Sequence, residues 1–522
     1  MLALPPCALR SRRAALWLLS LATLIAAPMA APAASQTNKE TTPEEQAEEQ
    51  PSDWRDELVL THDSVTIDGE AIPYTATSGT MTLEREDGTD RADMFFVSYT
   101  KDGVTDLSER PITFCFNGGP GSSSVWLHMG AFGPRRVILP SDASMPKPPP
   151  YSIEDNPHSL LDLTDIVFID PVTTGFSRAA QGEDDKQFHG VSEDIASVAE
   201  FIRLYTTRFE RWNSPKFLSG ESYGTTRAAG LVGNLQDQHG MYLNGIVLVS
   251  SILDFSTARF DAGNELPYPL FLPSYTATAW YHDRLDPALQ ADLQATLREA
   301  ETFAMDEYAR ALAKGAQLPT DERDRIAAKL AYYTGVSEDY VKRTNLRIII
   351  HEFVKELTRD QRETVGRLDS RYTGRDSDAY GASNEYDPSY AAIQGPFTAA
   401  LNHYVRTELE YENDLPYEIL TGRVHPWNYG NGDGYVNTGA TLREAMTHNP
   451  YLKVFVANGY YDLATPYFAT EYTFDHLGLE SALQANISMA YYDAGHMMYI
   501  HEPSAIALKA DIARFFASTL NP

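Results

Sequence analysis

The sequence predicts an α/β fold, with a mainly parallel central sheet flanked by helices and interrupted by a mostly helical insertion. Three observations point there. Short apolar runs at residues 112–116, 166–169, 217–219 and 246–250 lack strict alternation, as strands buried on both faces do. Helix-compatible segments separate several of these runs, the pattern of parallel strands joined by crossover helices. After Ser251 helical periodicity takes over, and strand character returns only at residues 454–457 and 487–492.

Taken in order, the chain opens with Arg10, Arg12 and Arg13 ahead of an apolar run from Ala14 to Ala27, followed by Ala31-Pro32-Ala33. This is the pattern of a cleaved export signal over residues 1–33, and Ser11-Arg12-Arg13 also resembles a twin-arginine signal. The apolar run is too short to span a bilayer and no other stretch comes close, so a released protein without an integral membrane segment is expected. Loss of residues 1–33 removes three arginines and no acids, leaving 39 basic against 72 acidic side chains, a balance of −33. Such a surface repels nucleic acid and anionic membranes. Of Cys7 and Cys115 only the second survives cleavage, so no internal disulfide forms and cysteine-rich metal sites are excluded. One thiol behind an export signal points to a bacterial periplasm or cell exterior over a eukaryotic secretory route.

Residues 34–53, rich in Glu, Gln, Thr and Pro, read as a disordered linker, with folded chain starting near Trp54. The core is expected over 54–259 and again over 421–522, with a helical cap over 260–420. In that cap one helix is expected to be capped by Asp286, with Pro287 in its first turn and Leu289, Leu293 and Leu297 on one face. Another carries Ile326, Leu330 and Tyr333 on one face and stops at Gly335. The Ser-, Asp-, Gly- and Tyr-rich stretch 369–390 reads as a long loop or mobile lid.

Gly220-Glu221-Ser222-Tyr223-Gly224 stands between a short strand and a helix-compatible segment. In that context a G-x-S-x-G turn thrusts its serine out at the top of a sheet. A serine hydroxyl is a weak nucleophile, so it needs a base to take its proton and an acid to orient the base, here in the order serine, acid, histidine. Asp462, in Asn458-Gly-Tyr-Tyr-Asp462, follows the strand at 454–457, and His496, in Ala494-Gly-His-Met497, follows the strand at 487–492. Asp433, Asp475 and Asp493 are alternatives for the acid, and His448, His476 and His501 for the base. Acyl transfer also needs amides for an oxyanion, and the Gly119 and Tyr223 N–H groups are the natural pair, because Asn117-Gly-Gly-Pro-Gly121 follows an early strand and exposes its amides. Zinc-helix, dinucleotide and Walker signatures are absent, so no metal or other cofactor is expected.

Together, Phe116-Asn-Gly-Gly-Pro-Gly-Ser-Ser-Ser124, Asp170-Pro-Val-Thr-Thr-Gly-Phe-Ser177, Gly220-Glu-Ser-Tyr-Gly224 and Ala494-Gly-His-Met497 resemble the serine carboxypeptidase family, in family order from about residue 110 to 500. The resemblance implies an α/β-hydrolase fold and a serine-type carboxypeptidase that removes C-terminal residues from peptides with a free C-terminus. It favours Asp462 and His496 over their rivals. It also implies that Asn117 and Glu221 hydrogen-bond the substrate's α-carboxylate, Glu221 sharing a proton with it so that acid favours activity. Two positions depart from the pattern. Many members carry a second glutamate fourteen residues after the motif's asparagine, where this chain has Ala131, and the usual cysteine after the glycine motif is Ser122. Loss of the glutamate weakens the case for an acid-dependent carboxylate site and leaves an esterase or acyltransferase using the same triad as the alternative. The oligomeric state is not written in the sequence.

Overall fold

The computed structural model describes residues 58–430 and 434–521. The expected signal and linker, Trp54, Cys7 and Asp433 lie outside the described residues.

Nine strands make the path of one ten-stranded sheet, the tenth being the two-residue strand Arg178–Ala179 paired with β3. They are β1 (Val59–Ile67), β2 (Glu70–Glu84), β3 (Asp90–Lys101), β4 (Ile112–Phe116), β5 (Asp165–Ile169), β6 (Lys216–Glu221), β7 (Gly245–Val249), β8 (Lys453–Gly459) and β9 (Ile487–Tyr492). The spatial order is β1-β2-β3-β5-β4-β6-β7-β8-β9. From β5 onward every pairing is parallel, whereas β1, β2, β3 and β5 pair antiparallel. The α/β-hydrolase expectation is met by this mixed sheet with its parallel centre.

The antiparallel meander β1–β3 was not among the strands expected, although a local signal for it exists. Asp68 and Gly69 form a two-residue turn with φ of 51° and 82° between the paired residues Ile67 and Glu70. Such a turn matches the twist of a hairpin, and Asp-Gly is a common way to build it.

The central strands bury both faces because each alternates its side chains between two apolar layers. Phe114 and Phe116 of β4 join Val167, Leu218 and Leu248 beneath helices α1 (Val191–Arg208) and α2 (Tyr223–His239). Cys115, Phe168, Val247 and Phe455 face the opposite layer. Between β7 and β8 the helices α3 (Pro267–Tyr281), α4 (Leu293–Phe303) and α5 (Thr320–Thr334) build a separate core around Phe271, Phe303, Ile326, Leu330 and Phe353. Helix α6 (Pro388–Thr407) packs instead on the sheet's second layer through Ile393, Phe397, Leu401 and Tyr404, as does α7 (Glu502–Leu520) through Leu508, Ile512 and Phe515. Among the described residues no helix is long and apolar enough to cross a membrane.

Two local expectations need correction. The helix expected from Asp286 through Leu297 is two helices. Asp286 caps Pro287–Gln290, then the Asp292 side chain accepts from Ala295 N and starts α4. A short acidic side chain satisfies the first amides of a new helix better than it continues an old one. The stretch 369–390 is a long loop over 375–387, as expected, but its ends are built into the fold. Asp369, Ser370 and Arg371 are buried, Thr373–Gly374 pairs with Thr364–Val365, and Pro388 already opens α6. Its outer part folds back onto a helix, since Lys355 pairs with Asp376 and Arg359 Nη1 donates to the Gly381 carbonyl. The stop at Gly335 is as expected, with φ of 70° at the end of α5.

Candidate active site

The polar groups of the site stand at the C-terminal ends of β4, β6, β8 and β9, where a parallel sheet presents loops to one crevice. At the end of β6 the chain turns within one residue into α2, with Ser222 at φ 61° and ψ −130°. A side chain is held in that strained region only when its surroundings over-determine it. Here the turn closes on its own glycines, since a Cβ on Gly220 would lie 2.2 Å from the Gly224 carbonyl oxygen. Ser222 N is held by the Val249 carbonyl at 3.0 Å. The serine therefore heads α2, with the amide of Tyr223 directly behind it at a helix N-terminus that favours negative charge.

His496 and Asp462 are paired with each other. His496 Nδ1 lies 2.7 Å from Asp462 Oδ2, and both residues are buried, Asp462 completely. A carboxylate only accepts, so Nδ1 carries the proton and Nε2 is left as the acceptor. Three more donors hold the carboxylate. Ala464 N and Thr465 N reach Oδ1 at 2.7 and 3.0 Å, and Thr465 Oγ1 reaches Oδ2 at 2.7 Å. Burial opposes the charged form of His496, but the Asp462 carboxylate, its hydrogen bond and the nearby Glu221 outweigh it and raise the imidazole above its ordinary range. Ser222 and His496 line one cavity of about 930 Å³, together with Asn117, Gly118, Gly119, Glu221 and Tyr223. His448, His476 and His501 do not line it, nor do Asp475 and Asp493.

The histidine loop is clamped by the stretch that read as a lid. His496 N donates to the Leu368 carbonyl at 2.7 Å and Gly495 N to Asp369 Oδ2 at 3.2 Å. Asp369 in turn pairs with buried Arg371 at 2.7 Å, whose Nη1 donates to the Asp493 carbonyl at 2.9 Å. On the far side Ser250 Oγ donates to the His496 carbonyl at 2.7 Å.

The glycine loop after β4 is fixed from below. The Asn117 carbonyl accepts from Arg227 Nη1 at 2.6 Å, and buried Arg227 is paired with buried Asp194 at 2.8 Å. Asp170, from the second motif of the resemblance, accepts from both Ser124 N and Ser124 Oγ at 2.8 Å. Gly118 rests on the elbow, where a Cβ would come within 2.4 Å of Tyr223 N. Asn117 Oδ1 accepts from Leu127 N at 3.0 Å, while its buried Nδ2 makes no close hydrogen bond and stands beside the Glu221 carboxyl, whose ionised form it favours. Glu221 is only 3% exposed. Burial first, and the Asp462 charge as well, push its carboxyl up to about 7, against the opposing effects of His496, Tyr499 and Asn117. Tyr499 OH donates to Glu221 Oε2 at 2.5 Å.

The sequence-predicted residues Ser222, His496, Gly119, Tyr223, Asn117 and Glu221 thus line a single cavity, with Asp462 behind His496. The supporting residues Asp194, Arg227, Asp369, Arg371, Thr465 and Tyr499 were not singled out beforehand. Their partners lie far away in sequence, and only the pairing Asp462-x-x-Thr465 carried a local cue, a short acid facing backbone amides two and three residues on.

Comparison with known proteins bears on the family and the fold. The model of the family described as serine carboxypeptidase matches residues 69–507. Serine carboxypeptidase-like 45 of Arabidopsis thaliana is 29% identical over 167 residues, covering 30% of this chain and 33% of that protein. Serine carboxypeptidase-like 50 of the same plant is 33% identical over 134 residues, covering 25% and 28%. The matched region thus spans about a third of the length of these curated relatives. The crystal structure of Kex1(delta)p, a prohormone-processing carboxypeptidase from Saccharomyces cerevisiae, superposes with a TM-score of 0.54 at 17% identity, over 85% of this chain and 92% of that one, a likeness of fold.

Proposed function

Because this chain belongs to the serine carboxypeptidase family, we propose that it releases C-terminal amino acids from peptides through an acyl-enzyme on Ser222. Ser222 Oγ attacks the carbonyl carbon of the last peptide bond while His496 Nε2 takes the hydroxyl proton. Asp462 holds the imidazole in the accepting tautomer and stabilises the imidazolium that forms. The tetrahedral oxyanion is received by the N–H groups of Gly119 and Tyr223. As the C–N bond breaks, His496 returns the proton to the departing amine. Water then repeats the sequence on the ester, its proton passing through His496 back to Ser222.

The observation that carries the reading is the pair beside the elbow. A buried Asn117 N–H that makes no close hydrogen bond and, beside it, a buried Glu221 whose carboxyl is pushed up to about 7 line the cavity that Ser222 lines. That combination suits a substrate α-carboxylate, with one group donating outright and the other donating when protonated. Ser222→Ala is expected to abolish trimming of N-blocked dipeptides and labelling by a fluorophosphonate. Amidating the substrate's C-terminus is expected to lower kcat/KM at least tenfold below pH 7. Trimming that survives Ser222→Ala, or indifference to amidation, would overturn the assignment, and faster turnover of small acyl esters than of any peptide would turn it toward an esterase or acyltransferase.

Within the stretch 260–420 the helices α3, α4 and α5 serve as a cap whose inner face shapes the substrate side-chain pockets. The N-terminal arginines, apolar run and small residues, with the acidic balance of −33 after cleavage, support export to a bacterial periplasm or the cell exterior. N-terminal sequencing of protein recovered outside the cytoplasm should find a start near Ala34, and an intact Met1 would contradict export by cleavage.

A further inference from the structure

Glu221 has a second carboxyl-binding partner that no motif announces. Tyr499 sits in the turn Met498–Ile500 just after the histidine loop, buried, with its hydroxyl 2.5 Å from Glu221 Oε2. Its ring rests on the turn Leu127–Phe132, where a Cβ on Gly130 would come within 2.6 Å of Tyr499 Cε2. Only a glycine at 130 admits the ring this close, and the next residue, Ala131, brings a methyl group instead of a carboxyl.

The phenol is a donor of a particular kind. Burial and the neighbouring Glu221 keep it protonated well beyond its ordinary range, so in this site it gives one hydrogen bond and never a charge. Its proton occupies Oε2. That leaves Oε1 for the proton that Glu221 itself acquires, and Glu221 lines the cavity together with Asn117. A second carboxyl in this position would have to collect its own proton from solvent before an anionic substrate group could approach, because two carboxylates and an α-carboxylate repel one another. The other groups acting on Glu221 are His496, whose charge draws it toward ionisation, Asp462, whose charge opposes that, and the Asn117 amide.

We infer that Tyr499 is the positioning residue of the carboxylate subsite, holding Glu221 by one oxygen so that the other presents its proton to the substrate's C-terminal carboxylate. The inference rests on the proposed carboxypeptidase reading and deepens it. It makes the preference for free C-termini a function of a single titrating carboxyl, persisting up to the range in which Glu221 ionises.

The test compares N-blocked dipeptides with free and with amidated C-termini from pH 4.5 to 9, since the ratio of their kcat/KM values cancels the titration of His496. In the wild type the ratio is high in acid and falls through one transition. Tyr499→Phe removes the donor. At pH 5 the free-over-amide ratio is expected to fall about tenfold, the factor that ~1.4 kcal/mol represents, with the loss in KM more than in kcat. The transition should move to higher pH, because the donor that favoured the ionised carboxyl is gone. Replacing Tyr499 by 3-fluorotyrosine keeps the shape, strengthens the donor and is expected to move the transition to lower pH. If both variants keep the wild-type ratio and transition, Tyr499 is packing only and the inference falls. A wild type indifferent to amidation removes the carboxylate reading itself, a different outcome from a selective wild type with unresponsive variants.

Discussion

The substitution Asp462→Asn tests whether the carboxylate at the base of the proposed triad acts by choosing a tautomer. In the folded protein Oδ1 accepts from two backbone amides, Ala464 N at 2.7 Å and Thr465 N at 3.0 Å, while Oδ2 faces His496 Nδ1 and Thr465 Oγ1, each at 2.7 Å. An asparagine must give its single oxygen to the two backbone donors, which cannot turn away, so its NH₂ group takes the place of Oδ2. Donor then meets donor at His496 Nδ1. The imidazole relieves this by moving its proton to Nε2, and Nε2 can no longer accept from Ser222. The equivalent change in a well-studied serine protease triad costs about 10⁴ in kcat, or roughly 5 kcal/mol of barrier. Folding is little affected, because the amide oxygen keeps its bonds to Ala464 N and Thr465 N and the Thr465 hydroxyl can turn to accept from the new NH₂ group. The assay is kcat on an N-blocked dipeptide at pH 7 together with the rate of fluorophosphonate labelling, and both should fall by that order while urea unfolding stays near wild type. A folded Asp462→Asn protein within tenfold of wild-type kcat would refute the tautomer argument.

Three further outcomes follow from the same geometry. Arg371→Met strands buried Asp369 without its cation, so it should destabilise by about 3–5 kcal/mol in urea unfolding and slow fluorophosphonate labelling, since Asp369 also holds the amide of Gly495. Gly118→Ala drives a methyl to 2.4 Å from Tyr223 N and should cut labelling at least ~10²-fold, the scale of losing an oxyanion donor; unchanged labelling would mean the elbow amide takes no part. Glu221→Gln bears on stability through pH. The folded carboxyl sits near 7 against an ordinary 4.5, so the folded state holds its proton longer than the unfolded chain, and its contribution is complete below about pH 4.5 and lost as pH rises to 7. Glu221→Gln should therefore gain on wild type by up to roughly 3 kcal/mol between pH 4.5 and 8, and parallel urea stability curves for the two proteins across that range would contradict it.

The elements that could be read from the chain alone are those whose cause is local. A serine between glycines at a strand-to-helix junction, a glycine-rich turn after an early strand, and an aspartate and a histidine in loops after two late strands are each contained in a few contiguous residues. The physical demands that produce them, tight turns and exposed amides, act over the same few residues. The parallel strands were visible for a related reason, since burial on both faces leaves no polar alternation. The meander β1–β3 and the break at Asp292 had local cues too, an Asp-Gly hairpin and a capping aspartate.

Tertiary structure alone decided how Asp462 meets His496, what holds the histidine loop, and in what state Glu221 is kept. The His496–Asp462 contact joins residues 34 apart and the Tyr499–Glu221 contact residues 278 apart, so neither partner constrains the other's local sequence. Asp369 and Arg371 read as loop polarity because nothing nearby in the chain reveals that they are buried against Gly495 and Asp493. A charge's proton affinity and its cost of burial depend on what surrounds it in space, and those surroundings exist only once distant segments have packed.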